Sequence, residues 1–185
     1  MSLALNDVRQ NQALACSLLL DQDAAMNQND IVRRLRYILD LDDSKMMSIF
    51  SLGGTEVTRA KVSDWLKKDD DPAYQQMKDQ ELATFLNGLI VDRRGERDGP
   101  QVKPEKQLTN NMIFMKLKIA LNLKAEETLA ILALNDFRIS KHELSAFFRK
   151  PGHKHFRVCK DQVLRNFLKG LQLKYRGNNI WDQRK

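Results

Sequence analysis

Apolar residues recur at helical spacing through most of this chain, and the same series of spacings occurs twice. Four apolar residues near the end of each series follow an i, i+3, i+4, i+7 pattern: Leu82, Phe85, Leu86 and Leu89 in the first, and Leu164, Phe167, Leu168 and Leu171 in the second. This spacing places the four side chains on one face of an α-helix. The pattern therefore predicts one amphipathic helix that is present in two copies.

The correspondence extends over a whole helical unit, at constant spacing and without a gap, from Asn29 and Asn111 to Gly95 and Gly177. Three shorter apolar stripes before the amphipathic helix predict three more helices. Their apolar positions, copy by copy, are Ile31, Leu35 and Leu39 with Ile113, Leu117 and Leu121; Met47, Ile49 and Phe50 with Leu129, Ile131 and Leu132; and Val62, Trp65 and Leu66 with Leu144, Phe147 and Phe148. A duplicated unit of this kind predicts an all-α fold of two tandem four-helix repeat units, packed as pseudo-symmetric halves.

Polar residues mark where these helices start. Thr58 and Ser140 precede the third helix of each unit, and their hydroxyl oxygens suit an N-cap. Ser140 also stands three residues before Glu143, which is the spacing of a capping box. We expect Asp79 and Asp161 to be the N-cap residues of the fourth helices.

Glycine marks helix ends and one position inside a helix. Gly95 and Gly177 follow basic last turns and are expected to end the fourth helices. Gly88 lies inside the fourth helix, where glycine costs up to about 1 kcal/mol relative to alanine, and Gly170 repeats it. We therefore expect another helix to cross closely at both glycines.

Two further expectations concern the loops. Gly53 and Gly54 are expected to end the second helix of the first unit, with Asn135 at the matching place in the second. Tyr74 and Phe156 stand in the loop before the fourth helix, and we expect both rings to plug the core.

Pattern and composition together predict five segments: an N-terminal extension (1–25), repeat unit 1 (27–95), a linker (96–110), repeat unit 2 (111–177) and a polar tail (178–185). Met26 suits an alternative start, so the extension is either upstream sequence or a non-native leader. Gly99, Pro100 and Pro104 indicate that the linker is exposed.

The net charge of +7 is concentrated in the second unit. Residues 111–177 hold 14 Lys and Arg against 5 Asp and Glu, a net charge of +9, whereas residues 29–95 hold 11 against 12, a net charge of −1. A basic lobe attracts nucleic acid, acidic protein surfaces or phosphorylated ligands. A solvated face that serves only solubility explains the same charge.

The repeated motif resembles a known family. Each unit contains an FLxGL helix, and the second adds His153-Lys154 and Phe156-Arg157 two residues before Cys159. Over roughly residues 27–177 the chain is similar to the YehS-like bacterial proteins, which carry a tandem domain of unknown function, number 1456. The resemblance implies an all-helical protein with two copies of one domain, and it implies no reaction, ligand or partner.

The second and third helices of each unit resemble a helix-turn-helix. In the second unit, basic and polar residues on and around the third helix are candidates for binding nucleic acid or another anion: Arg138, Lys141, His142, Ser145, Arg149, Lys150, Lys154 and Arg157. The turn is longer than in helix-turn-helix proteins. Plain helix packing with a solvated outer face, and protein–protein binding without nucleic acid, therefore stay open as alternatives.

His153, His155 and Cys159 are ligand types that zinc favours, but H-x-H-x3-C is not an established zinc signature and the first unit lacks these residues. We predict no metal site and no cofactor. No nucleophile, phosphate-binding or dinucleotide fingerprint occurs either. We therefore expect a non-catalytic binding protein.

Cys16 and Cys159 form no paired framework, which suits a reducing compartment. The longest apolar run, residues 13–20, is far too short to span a bilayer. We expect a cytoplasmic protein that does not enter a membrane.

Overall fold

The computed structural model describes residues 26–96 and 98–177, and within these residues it contains eight α-helices and no strand. The helices are α1 (Gln28–Leu39), α2 (Asp43–Leu52), α3 (Arg59–Leu66), α4 (Asp79–Arg94), α5 (Asn110–Ala120), α6 (Ala125–Ala133), α7 (Lys141–Phe147) and α8 (Asp161–Arg176). The predicted N-terminal extension with Cys16, and the predicted tail, lie outside the described residues. The predicted all-α fold with repeated halves is confirmed.

Each unit is built in the same way from its four helices. In the first unit α4 packs mainly on α2, and α3 packs on α2 and α1; in the second, α8 packs on α6 and α7 packs on α6. The largest buried side chains are apolar; in the first unit they come from all four helices, and in the second they are Phe114 and Phe167 of the first and last helices. Phe50 lies against Trp65 and Phe85, with ring centroids 5.1 and 5.3 Å apart, and Phe114 lies 4.4 Å from Phe167.

The interface between the two units is formed by their first and last helices. α4 packs against α5, and α1 packs against α8, so the first helix of each unit contacts the last helix of the other. Arg176, at the end of α8, clasps the end of α1: its Nε donates to the carbonyl oxygen of Tyr37 at 2.7 Å, and its Nη2 pairs with Asp40. This reciprocal packing makes the halves pseudo-symmetric.

The predicted third-helix caps are confirmed. Thr58 accepts from the backbone N–H of Lys61, and Ser140 accepts from that of Glu143 within a complete capping box. The prediction for the fourth helices is wrong. Lys78 and Lys160 occupy the N-cap positions, so Asp79 and Asp161 are already helical.

Instead of capping a helix, the carboxylates of the two aspartates accept hydrogen bonds from residues near the start of a unit. Asp79 accepts from the side chain of Gln28 and from the backbone N–H of Leu108 at 2.9 Å. Asp161 accepts from the side chain of Asn110 at 2.5 Å. Each carboxylate therefore ties the first turn of its unit's last helix to the start of the first helix.

Two loop predictions are also wrong in detail. Tyr74 and Phe156 are only half-buried, and the positions three residues later, Met77 and Cys159, are the buried ones at 1% exposure. The left-handed residue after α6 is Asp136, with φ of 55°, rather than Asn135. Asn135 lies just beyond α6, and its side chain bonds to Asn166.

The predicted close crossings at glycine are confirmed. A Cβ atom at Gly88 would overlap the carbonyl oxygen of Ile49, and one at Gly170 would overlap that of Ile131. The last helix of each unit therefore lies with its backbone against the second helix.

The segment between the units is tied to both units along part of its length. Gln101 donates to the carbonyl oxygen of Leu52 at 2.9 Å, and Glu105 pairs with Lys116 of α5 at 2.9 Å. Among the described residues, no helix combines the length and the apolar character that crossing a membrane requires.

Candidate functional site

The predicted anion-binding residues lie on α7, just before it, and in the loop that follows it. Arg149 is half-buried, and the other seven are exposed. We call these seven the basic surface: Arg138, Lys141, His142, Ser145, Lys150, Lys154 and Arg157. The sequence correctly placed most of the group on the outside of the molecule, with Arg149 as the exception.

Hydrogen bonds hold the loop after α7 against the helix. The backbone N–H of Arg157 donates to the carbonyl oxygen of Ala146 at 3.1 Å. From α5, Asn111 donates to the carbonyl oxygens of Phe147 and Arg157, both at 2.8 Å, and accepts from the backbone N–H of Cys159 at 2.9 Å. The loop therefore presents its charges from a fixed backbone.

Three histidines of the second unit come together beside this surface. The ring centroids of His142 and His155 are 6.0 Å apart, and those of His155 and His153 are 5.7 Å apart. At the end of this row, Nη1 of Arg149 lies 3.3 Å from Nε2 of His153. The row links the exposed start of α7 to the half-buried Arg149.

Ion pairing engages one cation of the basic surface. Lys141 binds Glu126 at 2.6 Å, and this hydrogen bond raises the pKa of Lys141 and lowers that of Glu126. The side chains are 70% and 68% exposed, and ion pairs exposed to this degree contribute little. The pair with Glu126 therefore restrains Lys141 only weakly.

The charges around α7 also act on Glu143. Its pKa lies below the ordinary value, chiefly because it accepts from the backbone N–H and the hydroxyl of Ser140 and, to a smaller extent, because Arg157 and His142 lie nearby. Glu143 is therefore engaged in the capping box of α7.

The three metal candidates differ in their burial. Cys159 is 1% exposed, and burial, helped by the charge of Asp161, raises the pKa of its thiol to about 12. His153 and His155 are exposed instead, and no three His, Cys, Asp or Glu side chains of the described residues gather as a metal would need.

The half-buried Arg149 lines a cleft that the sequence did not reveal. This interunit cleft, of about 1400 Å³, is bounded by α4, the segment between the units, α5 and the loop after α7. Its apolar lining includes Val91, Met112, Met115, Phe148 and Phe156. Its polar lining includes Asn87, Arg94, Glu105, Lys116 and Arg149.

The sequence contains one indication of the cleft, at positions where charged residues in the first unit are replaced by apolar residues in the second. At the positions where the first unit has Asp30 and Arg33, the second has Met112 and Met115. Both sets suit a helix, so the helical pattern alone did not single them out.

Comparison with known proteins agrees with the duplicated architecture. The family described as "Protein of unknown function (DUF1456)" matches residues 28–95 and again residues 110–177. The "Uncharacterized protein YehS" of Escherichia coli (strain K12) is 44% identical over 147 residues, which is 79% of this chain and 94% of that relative. No solved structure matches the chain significantly. The two family matches coincide with the two four-helix units, and the chain therefore belongs to the DUF1456 family and carries its domain twice.

Proposed function

We propose that this protein is a non-catalytic binding protein whose basic surface binds the phosphate backbone of a nucleic acid. The observation that carries the proposal is the exposure of seven basic or polar residues around one short helix, in the unit that holds all of the excess positive charge. Phosphate contacts supply most of the affinity of such surfaces. The loop's fixed backbone lowers the entropy cost of presenting them.

The proposed contact follows the nucleic-acid backbone rather than reading bases with an inserted helix. α7 has 7 residues, and it is separated from α6 by residues 134–140. A helix of this length is only about 10 Å long, and the connection exceeds the 3–4 residues of a helix-turn-helix. Binding through phosphates makes the expected affinity nearly independent of base sequence.

The non-catalytic part of the proposal is supported by the state of Cys159, the free cysteine of the described residues. A catalytic cysteine attacks as its thiolate. Burial raises the pKa of the Cys159 thiol to about 12, so the thiol is held in its protonated form.

The test is fluorescence anisotropy of a labelled 20-base-pair duplex and of a labelled single-stranded RNA, titrated with the full chain at several salt concentrations. Affinity is expected to fall steeply as salt rises. Reversing two exposed cations in Lys150→Glu with Lys154→Glu is expected to weaken binding about tenfold or more and to reduce the salt slope by about 2.

The first unit offers a matched control. Lys68 is the counterpart of Lys150, and Lys68 and Arg59 are both exposed. Lys68→Glu with Arg59→Glu changes the net charge by the same amount on the other unit, and it should leave binding within about twofold of wild type. Equal losses in both double variants, or binding that ignores salt, would contradict the proposal.

A second candidate is binding to an acidic protein surface, which exposed apolar residues beside the charges favour. Val158, next to Arg157, is 68% exposed, and Leu134, in the turn before α7, is 53% exposed. Apolar contact within a basic rim is typical of protein interfaces. A partner that stays bound in a pull-down after nuclease treatment, and that Lys150→Glu with Lys154→Glu releases, would favour this candidate.

A further inference from the structure

The interunit cleft is lined by both residues that have an unsatisfied buried side-chain N or O atom among the described residues. Nε of Arg149 and Oε2 of Glu105 are buried and have no hydrogen-bond partner, and both residues line the cleft. Buried polar groups without a partner are rare, and each calls for an explanation. A donor and an acceptor left over in the same cleft point to a ligand that supplies the missing partners.

Comparison of the two copies shows why Arg149 lacks a carboxylate partner, although its Nη1 lies 3.3 Å from Nε2 of His153. Its counterpart in the first unit is Lys67, whose amine binds Asp64 at 2.7 Å. The second unit has Ala146 at the position of Asp64. The second unit therefore keeps the cation and lacks the carboxylate that neutralises it in the first.

The same comparison shows why the floor of the cleft is apolar. In the first unit, Arg33 bridges Asp30 at 2.6 Å and Asp69 at 3.2 Å, and it donates to the carbonyl oxygen of Lys67 at 2.6 Å. The counterparts of Arg33, Asp30 and Asp69 are Met115, Met112 and Pro151, and all three line the cleft. An ion-pair network in one copy is replaced by two methionines and a proline in the other, and the flexible, polarisable methionine side chains adapt to an apolar ligand.

A buried polar cluster forms another part of the lining. Lys116 is 8% exposed, and its Nζ binds Oε1 of Glu105 at 2.9 Å and Oδ1 of Asn87 at 2.5 Å. Lys116 fixes one oxygen of Glu105, which leaves Oε2 to accept from another donor. Arg94 also lines the cleft, from the end of α4. Its counterpart, Arg176, clasps Asp40 at the other interunit contact.

We propose that the interunit cleft binds a small anionic molecule with an apolar body and one N–H or O–H donor. The anionic group accepts from Arg149, the donor reaches Oε2 of Glu105, and the apolar body lies on Met112 and Met115. The volume of about 1400 Å³ exceeds what a drug-sized ligand requires. This inference does not rest on the proposed binding of nucleic acid.

The probe for the test is 1-anilinonaphthalene-8-sulfonate, which combines an aromatic body, a sulfonate and one N–H. We expect saturable binding of one molecule per chain by isothermal titration calorimetry and by fluorescence. In the full chain labelled with ¹³C at the methionine methyl groups, the signals of Met112 and Met115 should shift on saturation. Those of Met46 and Met77, which are buried in the first unit, should stay in place.

Variants at one pair of counterparts decide the role of Arg149. Arg149→Gln is expected to weaken probe binding about tenfold or more, because a charge-assisted hydrogen bond is lost. Lys67→Gln makes the equivalent change in the first unit and should leave binding unchanged. Circular dichroism melting of both variants shows that they are folded before binding is compared.

Three results would overturn the proposal: no saturable binding by the wild-type chain, methyl shifts outside the cleft, or equal affinity in Arg149→Gln and Lys67→Gln. None of these results bears on nucleic-acid binding, which is tested with Lys150 and Lys154. The two proposals therefore fail or stand separately.

Discussion

At the scale of single residues, an asparagine with three hydrogen bonds to the backbone joins the helices of each unit. Asn29 is fully buried and donates to the carbonyl oxygens of Trp65 and Gln75, at 2.9 and 2.8 Å, while it accepts from the backbone N–H of Met77 at 2.9 Å. Asn111 makes the same three bonds in the second unit. One side chain thus joins the first helix, the end of the third helix and the loop before the fourth. The second unit repeats the geometry of the first, and there the bonds of Asn111 fix the backbone of the basic surface.

We predict that Asn29→Ala lowers the free energy of unfolding more than Asn111→Ala does. Each substitution orphans two carbonyl oxygens and one N–H, and a buried orphan costs about 1–3 kcal/mol. Asn29 is 0% exposed, whereas Asn111 is partly exposed, so water can replace some bonds only at Asn111. We expect losses of about 3 kcal/mol for Asn29→Ala and about 1–2 kcal/mol for Asn111→Ala. Urea unfolding monitored by circular dichroism measures both; a larger loss at Asn111 would contradict the argument.

At the scale of helices, backbone contact at glycine sets how the second and fourth helices pack. Gly88 lies against the carbonyl oxygen of Ile49, and Gly170 repeats the contact at Ile131. Glycine lowers helix propensity, and the close crossing is what compensates for it. Packing and propensity therefore make opposite predictions for a substitution at this position.

We predict that Gly88→Ala destabilises the protein by about 1–2 kcal/mol. Helix propensity alone would stabilise the variant by up to about 1 kcal/mol, but the new Cβ forces α2 and α4 apart, and overpacking costs about 1–3 kcal/mol. Thermal and urea unfolding give the sign. Gln162→Ala, at an exposed position of α8, serves as the control and should change stability by no more than about 0.5 kcal/mol. A stabilised Gly88→Ala would show that the helices do not touch there.

At the scale of the whole molecule, packing of the first helix of each unit on the last helix of the other couples the two units. α1 packs on α8 and α4 packs on α5, so the first and last helices of each unit are partly covered by the other unit. The buried Lys116 of α5 bonds to Asn87 of α4 across this contact. Units joined in this manner are expected to unfold together rather than as separate domains.

We predict that damage to the first unit exposes the core of the second. Cys159 is buried in the second unit, and labelling of its thiol with a maleimide reports unfolding there. Gly88→Ala, in the first unit, should move the urea midpoint of Cys159 labelling to lower urea by the same amount as the midpoint from circular dichroism. Mass spectrometry of the peptide that contains Cys159 separates it from Cys16. An unchanged labelling midpoint would show that the units unfold independently.

The sequence by itself determined the local and repeated features of this protein. Apolar spacing, third-helix caps and the two internal glycines depend on neighbours within a helical turn, so the order of helices and the duplication were readable from one chain. The exposure of the basic residues around α7 followed from the same periodicity. Asp79 and Asp161 were misplaced by one position because a cap is defined by backbone angles, which composition does not fix.

Only the tertiary structure decided the features that depend on residues far apart in the chain. These features are the three hydrogen bonds of Asn29, the packing of helices between the units, and the interunit cleft. Each brings together segments separated by tens of residues. Arg149 was assigned to the outer face because its helical position allowed that, and the packing of α4, α5 and the segment between the units made it a lining residue of the cleft. A helical pattern shows which face of a helix is apolar, but the partner that covers this face is chosen by packing of the whole molecule.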